Sequence, residues 1–392
     1  MINPLKFHIP HPQSFNIRAQ YKAADSVADN NVWYDSFADI TFETSFASFS
    51  KKQGLAFIVY YRNRHCSGNT PSAEDDKILQ SLQDTIDNMM SSQHFAKSSC
   101  DAFFVRLNTR SPKDAIAINQ DEFIQEVQKQ KLNINDQFRL FFDLSMESLC
   151  VHSGKEAVEL MLSSERIFVD ILQAFDADEQ NVKNPESGYK WDLEICVRKW
   201  ESSLREELEF RGFVSNYELI GLSQYNTYVC YPQVIANKVI IESLIQKFYE
   251  KTVKPRLQKL DMPFAVVDIA LLPEGDFTRP YRYAFRPSFT WQSLESGRVV
   301  VIELNPFNKR TGGGLFNWED ETVLDTKRGN GELDFRLVLE GQDKAIATES
   351  DNQIMMFDML LAEANSAFER RLSMIHTTTK PESTFPIKCT VS

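Results

Sequence analysis

From Val299 to Phe307 the chain runs VVVIELNPF. A run this apolar and this short reads as a strand inside a sheet, and Glu303 and Asn305 interrupt it. Strand side chains alternate, so positions i and i+2 point the same way, about 7 Å apart. A carboxylate and an amide therefore project together from an otherwise apolar strand. Burying a carboxylate without a partner is costly. A hard cation would supply that partner and prefers oxygen ligands of this kind. Asp268 in Ala265–Ala270, AVVDIA, repeats the pattern on a second β run. If the two strands are neighbours, three oxygen ligands converge. Each acid taken alone reads equally as half of a salt bridge or as a surface acid at a strand end.

Basic groups also sit on apolar strands: Arg106 in FFVRLN, Arg198 and Lys199 in ICVRKW, and Arg211 in LEFRGFV. One such Arg is ordinarily a structural ion pair. Several of them, beside acids of the Mg²⁺-binding type, point to a nucleotide, since Arg grips phosphate in a bidentate fork. Ser111-Pro112-Lys113-Asp114-Ala115 follows the first of these strands as a strand-to-helix turn. No GxxxxGK[ST] and no strand–GxGxxG–helix unit is present, which removes the P-loop and Rossmann assignments. Gly312-Gly313-Gly314 reads equally as a phosphate flap or as a plain loop.

Bulk properties bound the class. The 392 residues suit two or three domains or one large α/β unit. With 43 Lys and Arg against 55 Asp and Glu, the net charge is −12, which argues against a dedicated nucleic-acid binder. No run of about 18 uncharged apolar residues predicts a membrane span. The start, MINPLKFHIPHPQ, lacks the pattern of a secretory signal, so a cytoplasmic protein is expected. The six cysteines show no CxxC spacing and predict thiols rather than a zinc site.

Periodicity places the elements. Residues 1–30 predict a polar arm, with order beginning at Trp33-Tyr34 and the series Phe37, Phe42, Phe46 and Phe49. Ile78, Leu82, Ile86 and Met89/Met90 predict a helix with acids at its N-terminal end. Ser153-Gly154-Lys155-Glu156 fits a capping box. Leu140–Leu144 reads as a strand, and 176–190 as a loop between two lobes. Strands are expected near 192–200, 208–214, 217–224, 263–272 and 298–305, with Ser215-Asn216 turning a hairpin. A helix over 238–260 should break near Pro255. A late helix is expected over 353–373.

FVRLNTRSPKDA, ICVRKW, ELEFRGFV, ELIGLSQY, AVVDIA and VIELNPF, in this order, resemble the cell-division-cycle-123 family, as does the Trp33-Tyr34 segment. The resemblance spans roughly 33–340. It implies an α+β, ATP-grasp-like fold in which two lobes clasp ATP and Mg²⁺. The corresponding division is an N-terminal arm 1–30, an N-terminal lobe 31–190, a C-terminal ATP-grasp lobe 191–375 and a tail 376–392. It implies that Asp268, Glu303 and Asn305 hold Mg²⁺–ATP and that Arg211 reaches the terminal phosphates. Ser111, Lys113 and Asp114 would lie against the nucleotide. Val197, Arg198 and Lys199 would fall on the hinge strand, where backbone groups meet adenine. The implied partner is the gamma subunit of translation initiation factor 2, which the family's eukaryotic members help to assemble.

The chain departs from the pattern in three places. Arg106 stands where the family commonly has Lys, and Glu303 where it more usually has Asp. An insertion over about 273–297 carries PYRYAFRPSFTW, read either as a hairpin extension or as a surface for a partner. The alternative function is an ATP-dependent carboxylate–amine ligase working through an acyl phosphate, although no acceptor site is visible. A phosphotransferase would need Asp268 as its base, and the metal reading already uses that residue.

Overall fold

The computed structural model describes residues 29–65, 70–95, 101–183, 191–274, 289–318 and 333–339. The fold is mixed α+β. Its strands are β1 (Thr44–Ser48), β2 (Phe103–Leu107), β3 (Glu194–Lys199), β4 (Glu209–Ser215), β5 (Glu218–Gln224), β6 (Phe264–Leu272), β7 (Arg298–Asn305) and β8 (Asp334–Arg336). They form two sheets, of order β1-β3-β2 and β7-β6-β4-β5-β8. All pairings of these strands are antiparallel except β5 with β8. Among the described residues no helix is long and apolar enough to cross a membrane.

The five strands expected in the second half all form. Val214 pairs with Leu219 and Ser215 with Glu218, so Asn216 and Tyr217 make the hairpin turn, both at positive φ (53° and 64°). Two central residues at positive φ match the right-handed twist of the flanking strands. The 73–90 helix also forms, with Ser72 as its cap and Leu79, Leu82, Ile86 and Met90 buried. Ser153 accepts the Glu156 N–H, as a capping box requires, but the Glu156 carboxylate takes the His152 N–H instead of returning to Ser153.

Several expectations need correction. Leu140–Leu144 lies in a helix, Ile134–Glu147, whose buried Phe138, Phe141, Phe142 and Ser145 follow helical spacing. The 176–190 stretch is helical as far as Lys183, at the end of Glu165–Lys183. The 238–260 helix continues through Pro255 by way of a π-helical turn, Tyr249–Val253. Proline has no N–H and crowds the carbonyl four residues back, and a widened turn accommodates both effects. The expectations for residues 1–28, for 275–288 of the insertion, for the 353–373 helix and for the 376–392 tail lie outside the described residues.

The boundary at 190 does not separate the sheets. β3 follows it in sequence yet is the central strand of the first sheet. That sheet packs under helices 51–65, 73–90, 154–162 and 165–183, around Phe57, Leu82, Val105, Val158 and Val197. Trp33, Phe37, Phe138 and Phe141, all from the N-terminal half, pack instead against the second sheet with Phe210, Val267 and Val301. The two packing units thus interleave along the chain, because burial of apolar faces decides which sheet a segment joins.

Candidate functional site

Three strands of the second sheet place three charged residues in one row. Arg211 on β4 is directly opposite Asp268 on β6, and Asp268 is directly opposite Glu303 on β7. Residues paired in this way point to the same face. Asn305, two residues beyond Glu303, shares it. The opposite face carries Phe210, Val267, Ile269 and Leu304 into the core. A register shift next to Asp268 pairs Ile269 with Val301 and leaves Ile302 as an extra residue on β7. This bulge keeps Val301 and Leu304 in the core while Glu303 faces the other way.

The row is tightly paired. Arg211 Nε and Nη2 donate to the two Asp268 oxygens at 2.8 Å each, and Asn305 Nδ2 adds a 3.0 Å bond to Asp268 Oδ2. Arg211 Nη1 reaches the Gly312 carbonyl at 2.7 Å, so the glycine loop lies against the guanidinium. Arg106, on β2 of the other sheet, places Nη1 2.7 Å from Glu303 Oε1, with side chains 4% and 17% exposed. Burial pushes the Glu303 carboxyl up, but the Arg106 guanidinium and the Lys113 ammonium more than offset this and hold it at about 2. Among the described residues no group of three His, Cys, Asp or Glu is placed to hold a metal. The oxygen donors on this face are two carboxylates and one amide.

The remaining predicted residues divide. Lys113 joins the row from the side: its Nζ donates to Tyr225 Oη at 2.7 Å, and the Lys113 and Arg211 cations both approach the Tyr225 ring, at 4.7 and 4.9 Å. Arg198 is buried. Its Nε donates to Thr44 and its Nη1 to the Ile302 carbonyl, while Nη2 has no hydrogen-bond partner. Burial, with Arg106 nearby, brings its pKa down to about 10. Ser111 is buried in the turn. Asp114 holds a helix end in place. It accepts the Ser164 hydroxyl at 2.5 Å and the Arg166 N–H at 3.0 Å, which anchors the start of the 165–183 helix. Val197 packs in the first core on a strand flanked on both sides, so the sheet ladders take up the backbone groups expected to meet adenine. Lys199 lines a cavity rather than joining the row.

That cavity, about 110 Å³, lies beside Lys113, Arg198 and Ile302 and extends along Trp200–Leu204. Sequence patterning does not single out Asp143, Glu206 and Glu209, three of its five acids. Burial pushes them up to about 7, about 8 and about 7 respectively. Glu209 Oε1 has no hydrogen-bond partner. Its position two residues before Arg211 on an apolar strand is the signal that could have found it. Tyr225, just past the end of β5, is the last residue of the ELIGLSQY segment.

Comparison with known proteins agrees with this architecture. A translation initiation factor eIF2 assembly protein of Vanderwaltozyma polyspora is 26% identical over 225 residues, covering 56% of this chain and 53% of the relative. Its counterpart in Danio rerio is 29% identical over 175 residues, covering 45% and 42%. The chain thus spans about half the length of the curated relatives it matches. The structure of Cdc123 from Schizosaccharomyces pombe superposes with a TM-score of 0.51 at 20% identity, over 81% of this chain and 98% of that one, a likeness of fold. The family model D123 matches residues 141–362, more than half of the sequence, and the chain belongs to the D123 family.

Proposed function

We propose that this chain binds ATP with Mg²⁺ between its two sheets, in the manner of an ATP-grasp clasp, and acts in the cytoplasm as an assembly factor for translation initiation factor 2 by engaging the gamma subunit. The observation that carries the nucleotide reading is the row of Arg211, Asp268, Glu303 and Asn305 on one sheet face, met from the other sheet by Arg106. Two carboxylates and an amide suit Mg²⁺, which usually takes one or two carboxylates and completes its shell with phosphate oxygens and water. Asp268, Glu303 and Asn305 would hold the ion. Arg106, Arg211 and Lys113 would face the phosphates. The cavity beside Lys199 and Trp200, walled by Phe42, Phe104, Met146, Leu149 and Ile302, would take the flat face of the base. The assembly role rests on the kinship with the eIF2 assembly proteins.

The test pairs a melting scan with ATP and Mg²⁺ and an ADP-release assay, run with and without an amino-acid and polyamine panel. A ligand that binds only the folded state stabilises it by RT ln(1 + [L]/Kd). The expected result is thermal protection with turnover below roughly 0.1 s⁻¹, against a median near 10 s⁻¹ for enzymes. Panel-dependent ADP release above that rate would replace the assembly role with the carboxylate–amine ligase. A pull-down with purified gamma subunit, with and without ATP, tests the partner directly.

A further inference from the structure

We infer that the Arg106–Glu303 and Arg211–Asp268 pairs form a charge lock that keeps divalent cations off this site until a triphosphate arrives. The inference rests on the ATP–Mg²⁺ reading above and adds an order of binding to it.

Both Asp268 oxygens accept from Arg211, and Oδ2 also accepts from Asn305. Glu303 is held by Arg106 at 2.7 Å. The oxygens that would ligate the ion are therefore already neutralised, two carboxylates against two guanidiniums. A divalent ion entering alone would have to displace charge-assisted bonds and leave two largely buried arginines without a counter-charge, which is unfavourable away from water. It would also meet the Lys113 and Arg198 cations, whose fields both reach Glu303. A triphosphate reverses this balance. Its oxygens offer the guanidiniums bidentate partners, and the released carboxylates then turn to the metal. Because Arg106 and Glu303 belong to different sheets, the exchange also replaces a direct tie between the sheets with one through the phosphates.

The experiment follows Mn²⁺ as a probe by electron paramagnetic resonance with the full chain, in the absence and presence of ATP. Wild-type protein should bind no Mn²⁺ at concentrations where the ATP complex is saturated. Arg211→Gln, which frees Asp268, should bind Mn²⁺ without nucleotide at least about fivefold more tightly than wild type, the lower end of ordinary coupling between ligands. Arg106→Gln, which frees Glu303, should do the same and serves if the first variant does not fold. The wild-type measurement stands whether or not the variants fold. Mn²⁺ binding to nucleotide-free wild type as tight as in the ATP complex would overturn the lock, as would folded variants that bind no better than wild type. If ATP protects against melting but either of these results is found, only the lock falls. If ATP with Mg²⁺ gives no protection, the nucleotide reading falls and the lock with it.

Discussion

Arg106 on β2 and Glu303 on β7 meet at 2.7 Å across the seam between the two sheets. Each is a charged residue on an otherwise apolar strand, and each is the other's contact partner. Removing one member of a buried pair leaves the other charged and unpaired, at about 3–5 kcal/mol. Arg106→Ala should therefore destabilise the nucleotide-free protein by that order. Adding Glu303→Gln to it should recover part of the loss. Urea unfolding of the single and double variants measures the coupling, and strictly additive losses would show that the pair contributes nothing.

The pH dependence of stability should reflect two opposed sets of carboxyls. Glu303 is held at about 2 in the folded protein, below its ordinary 4.5. Its contribution is therefore present above about pH 4.5 and is lost as pH falls through about 2. Asp143, Glu206 and Glu209 are raised to about 7, about 8 and about 7. Their contribution is present below their unfolded values and is lost as pH rises through about 7 to 8. Melting temperature should therefore decline from about pH 5 to about pH 8 and level off above that. Glu206→Gln, which cannot ionise, should flatten that decline, and circular dichroism melts across the range will show whether it does.

Asn305 touches the row through a single hydrogen bond to Asp268. Asn305→Ala removes the amide oxygen proposed to meet Mg²⁺, together with that bond, but leaves the Arg211–Asp268 pair in place. Folding stability should fall by about 1 kcal/mol. Affinity for ATP with Mg²⁺ should fall about tenfold, equivalent to about 1.4 kcal/mol. Calorimetric titration beside a melting curve separates the two, and an unchanged affinity would remove Asn305 from the ion's shell.

Gly154 opens the helix Gly154–Leu162 against the 73–90 helix. A Cβ there would come 2.1 Å from the Gln83 carbonyl oxygen, and the Gly154 N–H donates to Asp87 at 2.6 Å. Backbone cannot yield as a side-chain end can, so Gly154→Ala should cost about 1–3 kcal/mol through overpacking. Denaturant titration would show it, and a loss within error would mean that the two helices separate freely.

How far the sequence can be read depends on whether the signal is local. Short apolar runs of β-branched and aromatic residues bounded by polar stretches place β3, β4, β6 and β7 within a residue or two. LFFDL at 140–144 resembles a strand because five residues cannot separate period 2 from period 3.6. Only the longer run from Ile134 to Glu147 shows the helical spacing. Asp114 looks like a nucleotide contact from its motif, but the helix end that it caps begins with Ser164, fifty residues further on.

The amino-acid order alone places Asp268, Glu303, Asn305 and Arg211 on apolar strands, and alternation puts Glu303 and Asn305 on one face. Strand pairing, register and the bulge at Ile302 arise only when the chain packs. Those features bring Arg211, Asp268 and Glu303 into line, send Val301 to the core and set Arg106 of one sheet against Glu303 of the other. A side chain's direction follows from its own backbone. Its partner follows from which apolar faces bury together, and that is settled between segments distant in the chain.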